Sequence, residues 1–308
     1  MLSQVRIRFR HLQTFLEVAR QKSVSHAAET LHVSQPAVTK TIRELEALLE
    51  TKLVEKDGRG IRITRQGDVF LRHAGASVAA LRRGIDSVTL EAGGRGPIVR
   101  VGALPTVSAL MMPQAVTLFL NEAQENRIRV ITGENTVLLN QLRVGDLDVV
   151  VGRLAAPERM TGLSFEHLYT EQISFVVRNQ HPLLASENVD FDRIGEFPIL
   201  MPPPDSIIRP FVDRLLITNG IAELPTQIET VSDSFGRAFV RQSDAIWIIS
   251  TGVVANELKD NTFAALPIDT NETRGSVGLT TRAETQPTSQ LSMLMQMIRE
   301  VAVGEKGN

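Results

Sequence analysis

A chain of 308 residues that is 43% hydrophobic and 22% charged exceeds one ordinary core and reads as two or three globular domains. The lack of cysteine excludes a disulfide framework, a thiolate metal site and a cysteine nucleophile, and no run approaches the roughly 18 to 20 apolar residues of a membrane span. The net charge of −2 divides into +5 over residues 1–92 (15 Lys+Arg, 10 Asp+Glu) and −7 over the rest (18 and 25), a basic head that fits a polyanionic partner.

The first ten residues are basic but lead into no apolar core, so no secretory signal is expected. From Phe9, apolar residues at Leu12, Phe15, Leu16 and Ala19 make a helical stripe. Ser23 is placed to cap a short second helix with Val24, Ala27, Ala28 and Leu31 inward. A tight turn follows at 31–34. Ser34 caps a third helix with Pro36 in its first turn, where a missing N–H costs little. That helix buries Val38, Ile42, Leu45 and Leu49, and its other face offers Gln35, Thr39, Lys40 and Arg43. Two helices about a tight turn, the second polar at its start, form a helix-turn-helix that presents those first residues to the major groove. Gln35 suits adenine, Thr39 offers a hydroxyl or methyl contact, Lys40 reaches guanine or phosphate, and Arg43 suits phosphate. From these spacings alone, an ordinary three-helix bundle with a solvated polar face stays open.

Residues 53–65 read as two short strands around a turn, with Arg59 at the tip between Gly58 and Gly60. An arginine-tipped wing suits the narrow minor groove, where negative potential is enhanced. The block Ala27-Ala28-Glu29-Thr30-Leu31-His32-Val33-Ser34-Gln35-Pro36-Ala37-Val38-Thr39, then Ile42-Arg43-Glu44-Leu45-Glu46 and Thr64-Arg65-Gln66-Gly67, resembles the head of LysR-type transcriptional regulators. The resemblance implies that Gln35, Thr39 and Lys40 read bases and that Arg59 enters the minor groove. The family usually has Ser where Thr39 stands, a change that keeps the hydroxyl.

Residues 67–91 lack proline and repeat apolar residues at Phe70, Ala74, Val78, Leu81, Ile85 and Val88, close to a coiled-coil seam. A rod of that length, on the order of 37 Å, is expected to pair with a second chain; packing on its own head is the alternative. A Gly-rich linker at 93–97 leads into β/α alternation, with strands at 98–103, 128–132 and 147–151 and helices at 113–122 and 137–144. A second set has strands at 173–177, 197–201, 227–230 and 245–249 and a helix at 207–219. A strand at 276–280 and a helix near 288–301 return to the first set. The pattern predicts parallel sheets with covering helices. Two lobes with crossovers near 165–170 and 265–275 resemble the type 2 periplasmic-binding-protein fold, the usual LysR effector domain. The expected division is a winged helix-turn-helix over 1–66, a linker helix over 67–92 and a two-lobed α/β body over 93–308. Lobe I is expected at about 98–168 and 270–303, lobe II at about 169–269.

In such sheets ligands sit beyond the carboxyl ends of strands, here between lobes. Thr106 and Val107 follow the first strand, Asn135 follows the second and Arg153 the third, while Pro203 and Ser206 approach from the second lobe. The resemblance implies that Thr106, Asn135 and Arg153, at positions that commonly contact the inducer in LysR effector domains, do so here. Thr106 and Asn135 as helix caps, and Arg153 as the partner of a surface carboxylate, stay open. The stretches 99–107, 130–135, 229–239 and 243–250 resemble the subgroup that regulates protocatechuate (pca) catabolic genes of the β-ketoadipate pathway. Many LysR proteins carry a Gly-rich, Pro-terminated run where 243–251 stands, so a generic contact list for lobe II does not transfer. That resemblance implies a carboxylated ring-cleavage inducer such as β-carboxymuconate.

A transporter's solute-binding protein would share the two-lobed body, but the head and the missing signal oppose it. An enzyme on this fold is opposed by the absence of a Gly-x-Ser-x-Gly elbow, P-loop, Gly-x-Gly-x-x-Gly or His-Glu-x-x-His motif. Within the regulators, a relative sensing a sugar or another aromatic acid is the alternative. The expected partners are double-stranded operator DNA, a small-molecule inducer that is a carboxylate, further copies of the chain in a homodimer or homotetramer, and RNA polymerase. No cofactor, metal or membrane is expected, and a cytoplasmic location fits.

Overall fold

The computed structural model describes residues 6–58, 60–91, 98–122, 127–185, 189, 191–221, 223–283 and 285–305. The head begins with α1 (Phe9–Gln21), α2 (Val24–Thr30) and α3 (Gln35–Leu49). Ser23 accepts from the His26 N–H at 3.3 Å and Ser34 from the Ala37 N–H at 3.4 Å, so both predicted caps form. Between the caps the chain reverses through His32 in the left-handed region (φ 54°). Phe15, Val18, Ala27, Val38, Ile42 and Leu45 make the core that holds the three helices together.

The antiparallel pair β1 (Val54–Asp57) and β2 (Gly60–Ile63) follows, with Gly58 at φ 55° in the turn. Glu46 fixes this hairpin to α3. It is buried, and its Oε1 accepts from the Leu53 and Val54 N–H groups at 2.9 and 3.3 Å, while Lys52 pairs with its other oxygen at 2.7 Å. Charge-assisted bonds to backbone N–H groups are the strong kind, so the wing is held to the helix it flanks.

The long helix α4 (Arg65–Glu91) divides the apolar seam read from the sequence into two halves. Phe70 packs against Phe15 at 5.4 Å between ring centres, Ala74 is buried and Val78 is half-buried against the head core. Leu81, Ile85 and Val88 are 47%, 59% and 68% exposed. The expectation of one continuous intermolecular seam is therefore corrected: its first half is taken up within the chain. The same stretch of α4 also approaches the body closely. Gly75 abuts the Arg143 carbonyl so tightly that a Cβ would overlap it, and Gly145, at φ 83°, lies against Gly75 and Ala79. Arg82 then bonds the Gly145 carbonyl at 2.9 Å and Asp146 at 3.1 Å.

Lobe I contains β3 (Ile98–Ala103), α5 (Pro105–Leu110), α6 (Met112–Glu122), β4 (Arg127–Thr132), α7 (Asn135–Arg143), β5 (Val149–Arg153) and β6 (Leu163–Glu171). Lobe II contains β7 (Ile173–Arg178), β8 (Ile199–Met201), α8 (Arg209–Thr218), β9 (Gln227–Glu229), α9 (Asp233–Gln242), β10 (Ile246–Ser250), α10 (Ala255–Lys259) and β11 (Phe263–Ala265). The chain then returns to lobe I with β12 (Gly275–Arg282) and α11 (Ser289–Glu305). The sheets run β4-β3-β5-β12-β6 and β11-β7-β10-β8-β9. Each keeps three parallel strands, but β12 is antiparallel to both β5 and β6, and β7 to β10 and β11. The expected parallel sheets are thus mixed, because strands that carry the chain between lobes enter each sheet from the opposite end. Separate cores, around Val101, Phe119, Leu138 and Ile298 in one lobe and Phe175, Ile199, Val212 and Ile246 in the other, hold each lobe. No described helix is long and apolar enough to cross a membrane.

Candidate functional site

On α3 the first turns are set by the Ser34 cap and by burial of Val38, Ile42 and Leu45 on the opposite side. This leaves Gln35, Pro36, Lys40 and Arg43 exposed and Thr39 half-exposed along one shallow groove. The groove also includes Glu44, which the sequence reading did not single out. Arg10 at 2.9 Å and His11 at 3.4 Å hold its carboxylate. Arg59, the proposed wing tip, lies outside the described residues.

A second site lies between the lobes, a cavity of about 800 Å³. Thr106, Asn135, Arg153, Pro203 and Ser206 all line it. Val107 does not: its side chain is wholly buried in the lobe I core, because the residue after Thr106 on a helix is turned about 100° away from it. Neither Thr106 nor Asn135 caps a helix. The N-caps of α5 and α7 are Leu104 and Glu134, without side-chain cap bonds, and α5 has only six residues. Asn135 instead donates to the Arg153 carbonyl at 3.1 Å, which ties the end of β5 to the start of α7.

Arg153 is 4% exposed, so a surface ion pair is ruled out. Its guanidinium donates to the Thr273 carbonyl where the chain returns from lobe II, and lies over the Phe211 ring of lobe II at 4.6 Å. A Cβ at Gly275 would overlap it, so a side chain there would displace the guanidinium. Nε and Nη1 have no hydrogen-bond partner among the described residues, and neither does Thr106 Oγ1. Burial pulls the Arg153 pKa down, with Glu171 opposing.

The cavity also holds acids that sequence reasoning missed. Glu171, the last residue of β6, is 7% exposed and accepts from the Gly252 N–H at 2.9 Å. Burial pushes its carboxyl up to about 7 against the pull of that N–H and of Arg153. The Ser250 hydroxyl adds a further pull from beside it, without a hydrogen bond of normal geometry. Burial, and then Asp205 of lobe II, raise the Glu134 pKa. Asp233 at the start of α9 is raised by burial, with Arg237 opposing, and Arg237 is itself bonded to Glu257 at 2.8 Å. No local pattern marks Glu171, which ends a strand whose in–out alternation is broken by a register shift against β12. Ser232 had a readable signal, a cap followed by a helical stripe, but Gly236 inside that stripe obscured it; the glycine is needed because the Trp247 ring occupies the place of a Cβ.

Residues 9–68 match the family described as bacterial regulatory helix-turn-helix protein, lysR family, and residues 92–303 match the LysR substrate binding domain. The HTH-type transcriptional regulator PcaQ of Agrobacterium fabrum strain C58 is 63% identical over 297 residues, 96% of this chain and 96% of that protein. The full-length LysG of Corynebacterium glutamicum with bound effector Arg superposes with a TM-score of 0.61 at 17% identity, over 97% of this chain and 99% of that one. Full-length CbnR complexed with its target DNA superposes with a TM-score of 0.54 at 22% identity, over 96% and 100%. These two share the fold with this chain.

The raised carboxyl at Glu171 has a consequence for stability. Protons bind it more tightly in the folded chain, so its contribution is fully present below the ordinary value of 4.5 and lost as pH rises through about 7. Glu171→Gln removes the penalty of burying the charged form. Thermal unfolding should show the variant more stable than wild type by up to about 3 kcal/mol at pH 8.5, shrinking to about 1 kcal/mol at pH 5.5. A pH-independent difference would mean that the carboxyl stays ionised throughout.

Proposed function

The chain belongs to the LysR family of DNA-binding transcriptional regulators, and on that premise we propose that it activates protocatechuate (pca) catabolic genes when its cleft takes a carboxylated ring-cleavage metabolite. It is a regulator and not an enzyme. The similarity to PcaQ over nearly the whole of both chains supports the choice of genes. The observation that carries the ligand class is Arg153, buried at the end of the cleft with two guanidinium nitrogens unpartnered. An Arg in that state is a fork for a carboxylate. A neutral sugar is the second reading, favoured by Glu134 and Asp233, whose carboxyls accept from hydroxyls as readily as Arg153 donates to acids.

Residues 1–66 would bind operator DNA, residues 67–92 join copies of the chain, and residues 93–308 receive the effector, in a cytoplasmic homodimer or homotetramer that also contacts RNA polymerase. Arg59 is assigned to the minor groove from the sequence.

Gln35→Ala and Lys40→Ala should each weaken operator binding by about 1–3 kcal/mol while leaving non-specific binding nearly unchanged, the scale of a lost base contact. Arg43→Ala should weaken all sequences alike and lower the salt dependence by about one phosphate contact. Gel shifts over a salt series distinguish the two, and unchanged specific binding in both base-reading variants would remove α3 from the groove.

The exposed half of α4 supports chain association. Leu81→Asp sets a charge within it, where burial without a partner is costly. Sedimentation should give a smaller species, with operator affinity falling because half-sites are then bound separately. Wild-type mass and affinity in the variant would place the interface elsewhere.

Calorimetry of the full-length chain against β-carboxymuconate, an aromatic acid and a neutral sugar tests the effector class. Wild type should bind the first, and Arg153→Ala should lose on the order of 2–5 kcal/mol, the scale for leaving a buried carboxylate unpaired. Binding of the sugar alone would establish the second reading. Equal binding by wild type and variant would take Arg153 out of the site.

A further inference from the structure

The deep end of the cleft carries a mismatch of charge that a polycarboxylate must resolve. Arg153 and Glu171 lie together there, one cation and one acid, both less than one-tenth exposed. Glu171 Oε1 is used by the Gly252 N–H, while Oε2 has no hydrogen-bond partner among the described residues. Thr106 Oγ1 and two nitrogens of Arg153, buried atoms of residues that line the same cavity, are likewise unpartnered. An anionic group placed against Arg153 would therefore share the cavity with the unpartnered oxygen of Glu171. Two ionised carboxylates in so dry a place repel strongly, whereas a carboxylic acid beside a carboxylate donates a short charge-assisted hydrogen bond.

We propose that Glu171 is a binding residue of the effector cleft that takes up one proton from solvent as a carboxylate ligand enters and then donates a hydrogen bond to that ligand through Oε2. This rests on the reading of the cleft as a carboxylate site. The surroundings of Glu171 favour the exchange. Among the described residues, Arg153 at the end of β5 is the charged group that acts on it. From β10 and the turn after it come the neutral Ser250 and Gly252, from α5 the neutral Thr106 and Leu110, and from β12 Gly275, its partner in the β6 register. With Arg153 turned toward the ligand, the pull that keeps Glu171 ionised is shared with a second anion. The other cavity acids, Glu134 with Asp205 and Asp233 with Arg237, belong to α7 and α9 and are not in this cluster.

The carboxyl is about half protonated near pH 7 in the free chain, since burial has already raised it that far. An anion beside it raises it further, so net proton uptake on binding is largest above pH 7 and vanishes in acid. The test is calorimetry of the full-length chain with β-carboxymuconate in Tris and in phosphate, whose ionisation enthalpies differ. Wild type should take up close to one proton at pH 8, and its affinity should fall by up to about tenfold per pH unit between pH 7.5 and 9 while staying flat below about pH 6. Glu171→Gln, which keeps a donor at the same place, should take up none, bind about as tightly as wild type does at pH 6, and be about thirtyfold tighter than wild type at pH 8.5. Binding by wild type with no proton uptake overturns the proposal and leaves the carboxylate reading standing. Uptake that persists in Glu171→Gln moves the proton to one of the other acids and overturns it equally. No binding of the probe by wild type removes both. Should the variant not fold, the wild-type uptake and its pH profile decide alone.

Discussion

A guanidinium with almost no contact with water sits at the waist of this molecule, and the two-lobed body is arranged around it. Arg153 ends the third strand of lobe I, bonds the Thr273 carbonyl where the chain returns from lobe II, and lies over Phe211 of that lobe. A buried cation is tolerable only with partners that replace its hydration. Here those partners come from both lobes and from both crossings between them. Glycine at 275 is the steric condition for this arrangement, and Glu171 at the other crossing supplies the nearby acid. The cleft is therefore polar where the chain crosses between the lobes, and the unpartnered donors there leave hydrogen-bonding capacity unused.

The location also explains how a ligand in the body could alter the head. The end of α7 and the turn after it, at Gly145 and Asp146, bear on α4 through a contact so close that glycine is needed on both sides. The start of the same helix carries Asn135, bonded to Arg153. One helix thus touches the cleft at its first residue and the linker just beyond its last. A displacement of the end of β5 would reach that helix through the bond to the Arg153 backbone carbonyl, and α4 continues into the head core through Ala74 and Phe70. Packed interiors transmit such displacements because they have few voids to absorb them.

The head shows a different economy. Its reading face is kept open by burying the opposite side of α3, and the wing is oriented by Glu46, a carboxylate that serves backbone N–H groups. Glu44 lies on the reading face but is held by Arg10 and His11, which limits its repulsion of phosphate. Both of these acids are thereby committed to partners.

The sequence by itself determined the local elements and the family. Ser23 and Ser34 specified caps, the 3.6-residue stripes specified α1 and α3, and the ordered block from Ala27 to Thr39 carried the resemblance, because caps, stripes and turns depend on neighbours within a few residues. It also placed Thr106, Asn135, Arg153, Pro203 and Ser206 beyond strand ends, where the cleft is found. Only the tertiary structure decided what surrounds them. Val107 turned into a core, β12 entered its sheet antiparallel, half of the α4 seam was covered by the chain's own head and body, and Glu171 met Arg153 from a strand whose pattern gives no sign of it. These outcomes depend on contacts between segments far apart in the chain. Their energies come from burial and desolvation, which exist only once the distant surfaces have closed on one another.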